Sequence, residues 1–345
     1  MNNNILLTIV MPVFNNADLT RQMIESIRAN SFQLWELLAV DDGSDQVTVS
    51  VLNQMSCIDP RIQIIHRNRL PKGAQTCRNI GLELAKGKYI IFFDNDDYVL
   101  PHCLETRVSE MESNQLLDFM VFPSGVISQN VFDDKAGEFV YGYPIYSDDI
   151  NAFARRLLPF VVWNNIYRTQ SLRDAGIIWD EQLLSLQDAD FNLQTLLKGL
   201  KYGYSRNRAD IGYRIDSSNG SISKRIASKA HQKSIIYAIE KFYQLYHHSK
   251  GHKYDGALFF GVLFLYNRIM SNGIDADFAH SMIQVVKRHS PIFGVLFLLA
   301  VKSTLLLQVF LPRKIARQIP MSLHLVDYRI RIQHKIKKIR KLRVE

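Results

Sequence analysis

Four short apolar runs separated by helix-patterned segments dominate the first hundred residues and limit the folds open to this chain. The first, at residues 6–11, ends in Pro12-Val13-Phe14-Asn15-Asn16. The second, at residues 35–40, ends in Asp41-Asp42-Gly43-Ser44-Asp45. The third covers residues 62–65. The fourth, Tyr89-Ile90-Ile91-Phe92-Phe93, runs into Asp94-Asn95-Asp96-Asp97. Between the first two, Leu19, Met23 and Ile27 recur at helical spacing, and residues 47–55 and 75–85 also suit helices. Gly87 is placed to stop the helix over 75–85. The strand runs are apolar without alternation, as strands covered on both faces require. The pattern predicts an α/β fold, a mostly parallel sheet with helices on both faces.

The acids after the fourth run carry the first chemical hint. Three carboxylates crowded at a strand end repel one another, and strand ends are where α/β sheets bind ligands. A hard divalent cation, Mg²⁺ or Mn²⁺, relieves such repulsion and in turn neutralises phosphates. The plain alternative is a solvated acidic loop capping the helix that begins near Pro101.

Taken together, Thr8-Ile9-Val10-Met11-Pro12-Val13-Phe14-Asn15, Asp41-Asp42-Gly43-Ser44, Gly73-Ala74 followed by Arg78-Asn79, and Asp94-Asn95-Asp96-Asp97 resemble the family-2 glycosyltransferases in order and spacing. The resemblance extends to about residue 225. It implies the GT-A (Rossmann-like) fold and a nucleotide-diphosphosugar donor. It also implies a metal, Mn²⁺ or Mg²⁺, at Asp96 with Asp94 close by, Asp94 tending toward the ribose. Pro12, Phe14 and Asp42 then fall at the nucleotide pocket, Phe14 against the base and Asp42 accepting from its edge, with uracil a common base. Asp41 and Asp42 have a simpler reading as a turn with a helix cap. Arg78, at a helix start beside a glycine loop, is placed to reach ribose or phosphates. Asp97 reads as a loop-orienting or capping residue.

Transfer with inversion needs a general base on the acceptor side. Ala189, Leu193, Leu196, Leu197 and Leu200 form a helical stripe that puts Asp188 at a helix start, where negative charge is favoured by the dipole. Family-2 enzymes carry an acid-Asp pair here whose Asp is the base, so the resemblance implies Asp188 as base, with Gln187 in place of the commoner Glu. Asp190 is the weaker choice. Relatives often show Trp-x-Lys on a strand lining the acceptor cleft. This chain has Trp163 with Asn165 in the Lys position, which removes a positive charge. Trp163 suits either a sugar platform or the core. Tyr213 to Asp216 and Ser221 to Ser223 resemble a closing loop, with Arg214 or Ser223 as donors to the diphosphate.

Charge is uneven beyond the catalytic region. Eleven of the 42 Lys and Arg follow Pro312, against two of the 33 acids, so the formal excess of +9 sits in the last 33 residues. Ile332, Ile336, Ile339 and Leu342 recur at helical spacing among cations, the pattern of a helix on an anionic membrane surface. Residues 292–311 are strongly apolar but interrupted by Lys302, Ser303, Thr304 and Gln308. They read as an interfacial helix or hairpin, with burial or membrane spanning as alternatives.

The expected organisation is a catalytic domain over 1–225, a helical region over 226–312 and a basic amphipathic tail over 313–345. Three cysteines without metal spacing and a start that passes directly into a strand point to a cytoplasmic protein, peripheral on the inner membrane face. The expected activity moves a sugar, from UDP-sugar above other donors, to a saccharide or lipid-linked saccharide during lipopolysaccharide or capsule synthesis. No nucleic acid partner is expected: the first 312 residues carry 31 groups of each sign, and no recognition motif appears. A nucleotidylyltransferase on a related fold is disfavoured, because the first strand lacks a glycine-rich loop after it. Nothing in the sequence fixes an oligomeric state.

Overall fold

The computed structural model describes residues 5–128, 131–134, 141–214, 228–269, 275–310 and 322–342. It divides into two compact units. The first takes in Met1–Pro144, Phe160–Gln182 and Gln187–Ser218; the second Ile145–Pro159, Leu183–Leu186 and Asn219–Glu345. The second unit thus draws two segments from within the stretch that the sequence assigns to the catalytic domain.

In the first unit the chain runs β1 (Leu7–Val13), α1 (Ala17–Arg28), β2 (Trp35–Asp41), α2 (Gln46–Ile58), β3 (Ile62–His66), α3 (Ala74–Leu84) and β4 (Tyr89–Phe92). It continues through β5 (Tyr98–Val99), α4 (Cys103–Ser113), β6 (Phe119–Val121), β7 (Ser124–Ser128) and β8 (Val131–Asp133). After α5 (Asp149–Ala154), which belongs to the second unit, come β9 (Asn165–Arg168), α6 (Thr169–Asp174), α7 (Gln187–Leu197), β10 (Tyr202–Tyr204) and β11 (Ile211–Arg214).

Seven strands form one sheet in the order β10-β6-β9-β4-β1-β2-β3. Its pairs are parallel except where β9 runs against β4 and β6. The central strands β1, β2 and β4 are buried along their whole length, which is why their sequences do not alternate. A second sheet has the order β5-β11-β7-β8. The expected α/β fold with a mostly parallel sheet is what the chain adopts.

Some local readings need correcting. Helix α3 ends at Leu84, and Gly87 is no left-handed cap. A Cβ there would lie 2.5 Å from the Thr8 backbone nitrogen and 2.7 Å from the Tyr89 carbonyl oxygen, so glycine lets this turn press against β1. Trp163 and Asn164 form a 3₁₀ turn, and the strand begins only at Asn165. Helix α7 stops at Leu197 rather than Leu200.

The second unit is helical: α8 (Lys229–Lys250), a 3₁₀ turn (Gly251–Tyr254), α9 (Asp255–Ile269), α10 (Ala276–His289), α11 (Pro291–Phe310) and α12 (Ser322–Leu342). Among the described residues no helix is long and apolar enough to cross a membrane. On α12 Ile339 is buried, and Lys338 Nζ donates to the Ile145 carbonyl at 3.2 Å. Part of the tail's apolar stripe is therefore covered by protein, while Lys337, Lys338, Arg340 and Lys341 stay exposed.

Candidate active site

The parallel ladder sets the geometry. Strands β1, β2 and β4 run side by side in the same direction, so the turns after Val13, Asp41 and Phe92 emerge along one edge of the sheet. Pro12 is buried inside β1, in register with Val40. By alternation along the strand its missing N–H faces β4, whose pairing with β1 stops at Val10, so no ladder bond is lost. Phe14 then emerges with 42% of its surface exposed, and Lys72 Nζ sits 3.6 Å over its ring.

The β1–α1 turn depends on two residues that the sequence reading passed over. Asn15 and Asn16 both hold φ of 60°, a conformation that asparagine tolerates better than most L residues. Asn15 Oδ1 accepts from the Asp45 backbone at 2.9 Å, and its own N–H donates to Ser44 Oγ at 3.0 Å. Asn95 Nδ2 donates to the Asn15 carbonyl at 3.2 Å and to Thr20 Oγ1 at 2.8 Å. Three strand-end turns are stitched together this way.

Asp41 and Asp42 separate in role. Asp41 Oδ1 accepts from the Ser44 N–H at 3.0 Å, closing the turn. Burial opposes its ionisation, yet the bonds from Ser44 and His66 hold its carboxyl below the usual range. The helix cap is Asp45, which accepts from Thr48 N–H. Asp42 is buried, with Oδ1 accepting from Arg67 Nε at 2.5 Å and from the Gly73 N–H at 3.3 Å. No local pattern in the sequence flags Arg67.

Arg78 is the hub. Helix α3 is buried from Gln75 to Leu82 despite four polar residues there, and its neighbours bond each of them, leaving Arg78 Nε without a partner among the described residues. Asn79 Nδ2 donates to the Trp179 carbonyl and to Glu181 Oε1, both at 2.9 Å, and Gln75 Oε1 accepts from Gln187 Nε2 at 3.0 Å. Arg78 is only 3% exposed. Its Nη2 donates to Asp94 Oδ1 at 2.5 Å and its Nη1 to Gln187 Oε1 at 3.5 Å; Nη1 also lies 3.9 Å from Asp188 Oδ1. The guanidinium stacks 4.4 Å from the buried Trp179 ring. One cation thus brings together the acid turn after β4 and the first turn of α7, which sequence alone could not join.

The acids respond to this setting. Burial pushes Asp188 up to about 6, opposed by Arg78 and aided by Asp94. Burial likewise raises Asp96 to about 6, with Asp94 adding repulsion. Asp97 is driven well above the ordinary range by burial and by its two neighbours, and its Oδ2 has no hydrogen-bond partner among the described residues. Asp97 caps nothing: α4 starts at Cys103, after His102. Asp190 is buried and accepts from Gln194 within its own helix at 2.7 Å. Immediately before α7, Leu186 holds φ of 67°, a costly conformation for a bulky residue.

A divalent cation fits the acid turn chemically. The donors are hard oxygens, and Asp96 and Asp97 are desolvated carboxylates whose repulsion a cation relieves. The acids of this turn form no three-group cluster of ligand atoms within 4.8 Å. That matches an ion held by one or two carboxylates and substrate phosphates rather than by a closed protein cage. With Asp94 Oδ1 engaged by Arg78, Asp96 is the first candidate ligand and Asp94 the second.

The remaining candidates are less open. Trp163 is 6% exposed and stacks on Tyr213 at 5.1 Å, so it packs rather than offering a platform. Asn165 is fully buried, and its Nδ2 donates to Tyr167 Oη at 2.6 Å and Asn192 Oδ1 at 3.0 Å. A lysine there would bury its charge in a neutral network. Arg214 Nε donates to the Asp96 carbonyl at 3.1 Å, fixing β11 against the acid turn. Ser223 and residues 215–216 lie outside the described residues.

Residues 8–175 match the sequence model of glycosyl transferase family 2. The fold, the strand-end turns and this match agree: residues 8–175 form a family-2 glycosyltransferase region of GT-A fold. It is 26% identical over 194 residues to the uncharacterized glycosyltransferase EpsJ of Bacillus subtilis (strain 168), covering 54% of this chain and 55% of that protein. It is 33% identical over 135 residues to the Escherichia coli protein WfgD, described as a UDP-Glc:alpha-D-GlcNAc-diphosphoundecaprenol beta-1,3-glucosyltransferase, covering 39% and 51%. The chain spans about half the length of these relatives. Among solved structures, S. aureus TarS 1–349 in complex with UDP-GlcNAc superposes with a TM-score of 0.66 at 14% identity, over 94% of this chain and 91% of that one. At that identity the likeness establishes the fold alone.

Proposed function

We propose that this chain transfers a sugar, with inversion, from a nucleotide-diphosphosugar to a saccharide or lipid-linked saccharide in lipopolysaccharide or capsule synthesis. A UDP-sugar is the favoured donor. The observation that carries this reading is the guanidinium of Arg78, 2.5 Å from Asp94 and 3.9 Å from Asp188. It sets a donor-side acid turn and an acceptor-side base about one cation.

Phe14, exposed at the end of β1, offers a ring to the base. Asp42, steadied by Arg67 and Gly73, borders the same pocket, and Asp94 is held to accept from a ribose hydroxyl. Asp96, with Asp94 beside it, would hold a Mn²⁺ or Mg²⁺ ion, which when bound would neutralise the leaving diphosphate as a Lewis acid. Asp188 takes the acceptor hydroxyl proton. A carboxylate raised to about 6 is a better base near neutral pH than an ordinary aspartate, while remaining mostly ionised. The relative WfgD, named for a UDP-Glc donor and a diphosphoundecaprenol-linked acceptor, supports the choice of donor and acceptor class.

A lipid-linked acceptor calls for a membrane surface, and the second unit has features that suit one. On α11, Ile292, Val295, Leu296, Leu299 and Leu306 are all exposed. The exposed cations of α12 add attraction to an anionic leaflet, each worth roughly 1 kcal/mol. The catalytic reading is tested by a screen of UDP-, GDP- and CMP-sugars with Mn²⁺ for slow donor hydrolysis, which needs no acceptor. Hydrolysis of a UDP-sugar, lost with chelator, supports the reading; inertness toward all three classes contradicts it.

A further inference from the structure

Among the described residues, one group of three His and acid side chains has its ligand atoms close enough to share an ion. It consists of His247, His252 and Asp255, whose ligand atoms all lie within 4.8 Å of one another. It belongs to the second unit and plays no part in sugar transfer as derived above. We infer that His247, His252 and Asp255 form a binding site for a transition-metal dication of the zinc class, clasping the end of α8 to the start of α9.

The local fold builds this site from nine residues. His247 lies in the last turn of α8, His252 in the 3₁₀ turn and Asp255 at the first position of α9. Gly251 makes the reversal with φ of 57° and ψ of −145°, a backbone state open essentially to glycine. The reversal folds His252 back until its ring centroid is 4.2 Å from that of His247. His247 Nε2 is 2.7 Å from Asp255 Oδ1, and His252 Nδ1 is 3.0 Å from Asp255 Oδ2. Both imidazoles thus address the two oxygens of one carboxylate, which is 7% exposed.

Supporting groups fix the ligands, as outer-shell partners do in metal sites. Ser290 Oγ, between α10 and α11, donates to Asp255 Oδ2 at 2.6 Å. His289 stacks on Tyr243 at 5.3 Å and has its Nε2 2.7 Å from Glu240 Oε1. Its ring stands 5.8 Å from that of His247, so it buttresses that side without being a ligand. Two imidazoles and a carboxylate suit Zn²⁺, Co²⁺ or Ni²⁺ better than Mg²⁺ or Ca²⁺, which prefer all-oxygen sets. Metal–ligand distances of about 2.0–2.2 Å ask the present N···O pairs to open slightly. The His252 side chain, 72% exposed, is free to swing by that much and leaves a side open for water as fourth ligand.

The test uses the untagged full chain, stripped with chelator and free of nucleotide. It is titrated with Zn²⁺ by calorimetry and with Co²⁺ by visible absorption. One equivalent is expected, with tetrahedral Co²⁺ bands and a rise in unfolding temperature on Zn²⁺ addition. His252→Ala, at an exposed position that does not threaten the fold, should weaken binding at least ~10-fold. Ser290→Ala should do so by about 10-fold through Asp255. Asp96→Asn should leave Zn²⁺ uptake unchanged. Failure of the wild type to take up one equivalent overturns the inference. So does uptake indifferent to His252→Ala, or uptake lost with Asp96→Asn, which places the ion at the acid turn.

Discussion

Replacing Asp188 with Asn should make the protein more stable and nearly inactive at once. Burial holds this carboxyl at about 6, roughly two units above a free aspartate, and each unit is worth about 1.4 kcal/mol. The ionised form therefore costs the fold up to about 3 kcal/mol. Because 31% of the side chain still meets water, screening reduces the expected effect to about 1–2 kcal/mol. The sign follows from linkage: the folded chain holds this proton more tightly than the unfolded chain. The penalty is absent below about pH 4, grows as pH rises, and is complete above about pH 7. Urea denaturation should show Asp188→Asn more stable than wild type by that amount at pH 7.5, the gain shrinking toward pH 4.5. Sugar transfer should fall by roughly 10²–10⁴-fold with donor affinity retained, the usual worth of a general base. The wild-type rate should decline as pH falls through about 6, as the base becomes protonated. A variant less stable at pH 7.5 would refute the desolvation argument. An equal loss of donor affinity would move Asp188 into the nucleotide pocket.

Asp96→Asn should abolish metal-dependent UDP binding in calorimetry while leaving the unfolding temperature equal or slightly higher, since one charge leaves a repulsive cluster; near wild-type transfer by this variant would exclude Asp96 as a ligand. Arg78→Lys should lower kcat/KM by about 10²-fold, because a point charge cannot serve Asp94 and Asp188 as a planar fork does. Arg78→Met, which removes the cation that opposes the rise at Asp188, should move the acidic limb of the pH–rate profile upward; an unmoved limb would show that the two side chains do not communicate. Reversing the exposed charges Lys337 and Lys341 to Glu should weaken sedimentation with anionic vesicles, and salt should weaken the wild type similarly, as exposed charges are screened over about 8 Å. Salt-insensitive attachment lost with Leu299→Asp would instead assign the membrane contact to α11.

The catalytic fold was readable because its strands are buried on both faces and say so in sequence: Ile90 to Phe93 and Leu37 to Val40 carry no alternation. Contacts between distant residues were not readable. Arg107, fully buried, donates to Asp210 through Nε at 2.8 Å and Nη2 at 2.6 Å across 103 positions, and neither residue stands in a pattern that announces the other. The same holds for Arg67 with Asp42, and for Trp179 beneath Arg78. Arg78 itself was legible as a candidate, yet not as the link between Asp94 and Asp188, because only the packing of α3 against Trp179, Glu181 and Gln187 creates that meeting. Gly87 suggested a helix stop when its actual constraint is the backbone of β1. Ile332, Ile336 and Ile339 suggested a membrane-facing stripe, whereas Ile339 is covered by protein. A periodic apolar face reports that something covers it, not what.

The central claim is that Asp188 and the Asp94–Asp96 turn work on opposite sides of one donor sugar. Proton NMR of the first-formed product, taken with the donor that the hydrolysis screen selects, tests this most directly. The account predicts an anomeric configuration inverted relative to the donor, and no product with Asp188→Asn. A product that retains the donor configuration would contradict it.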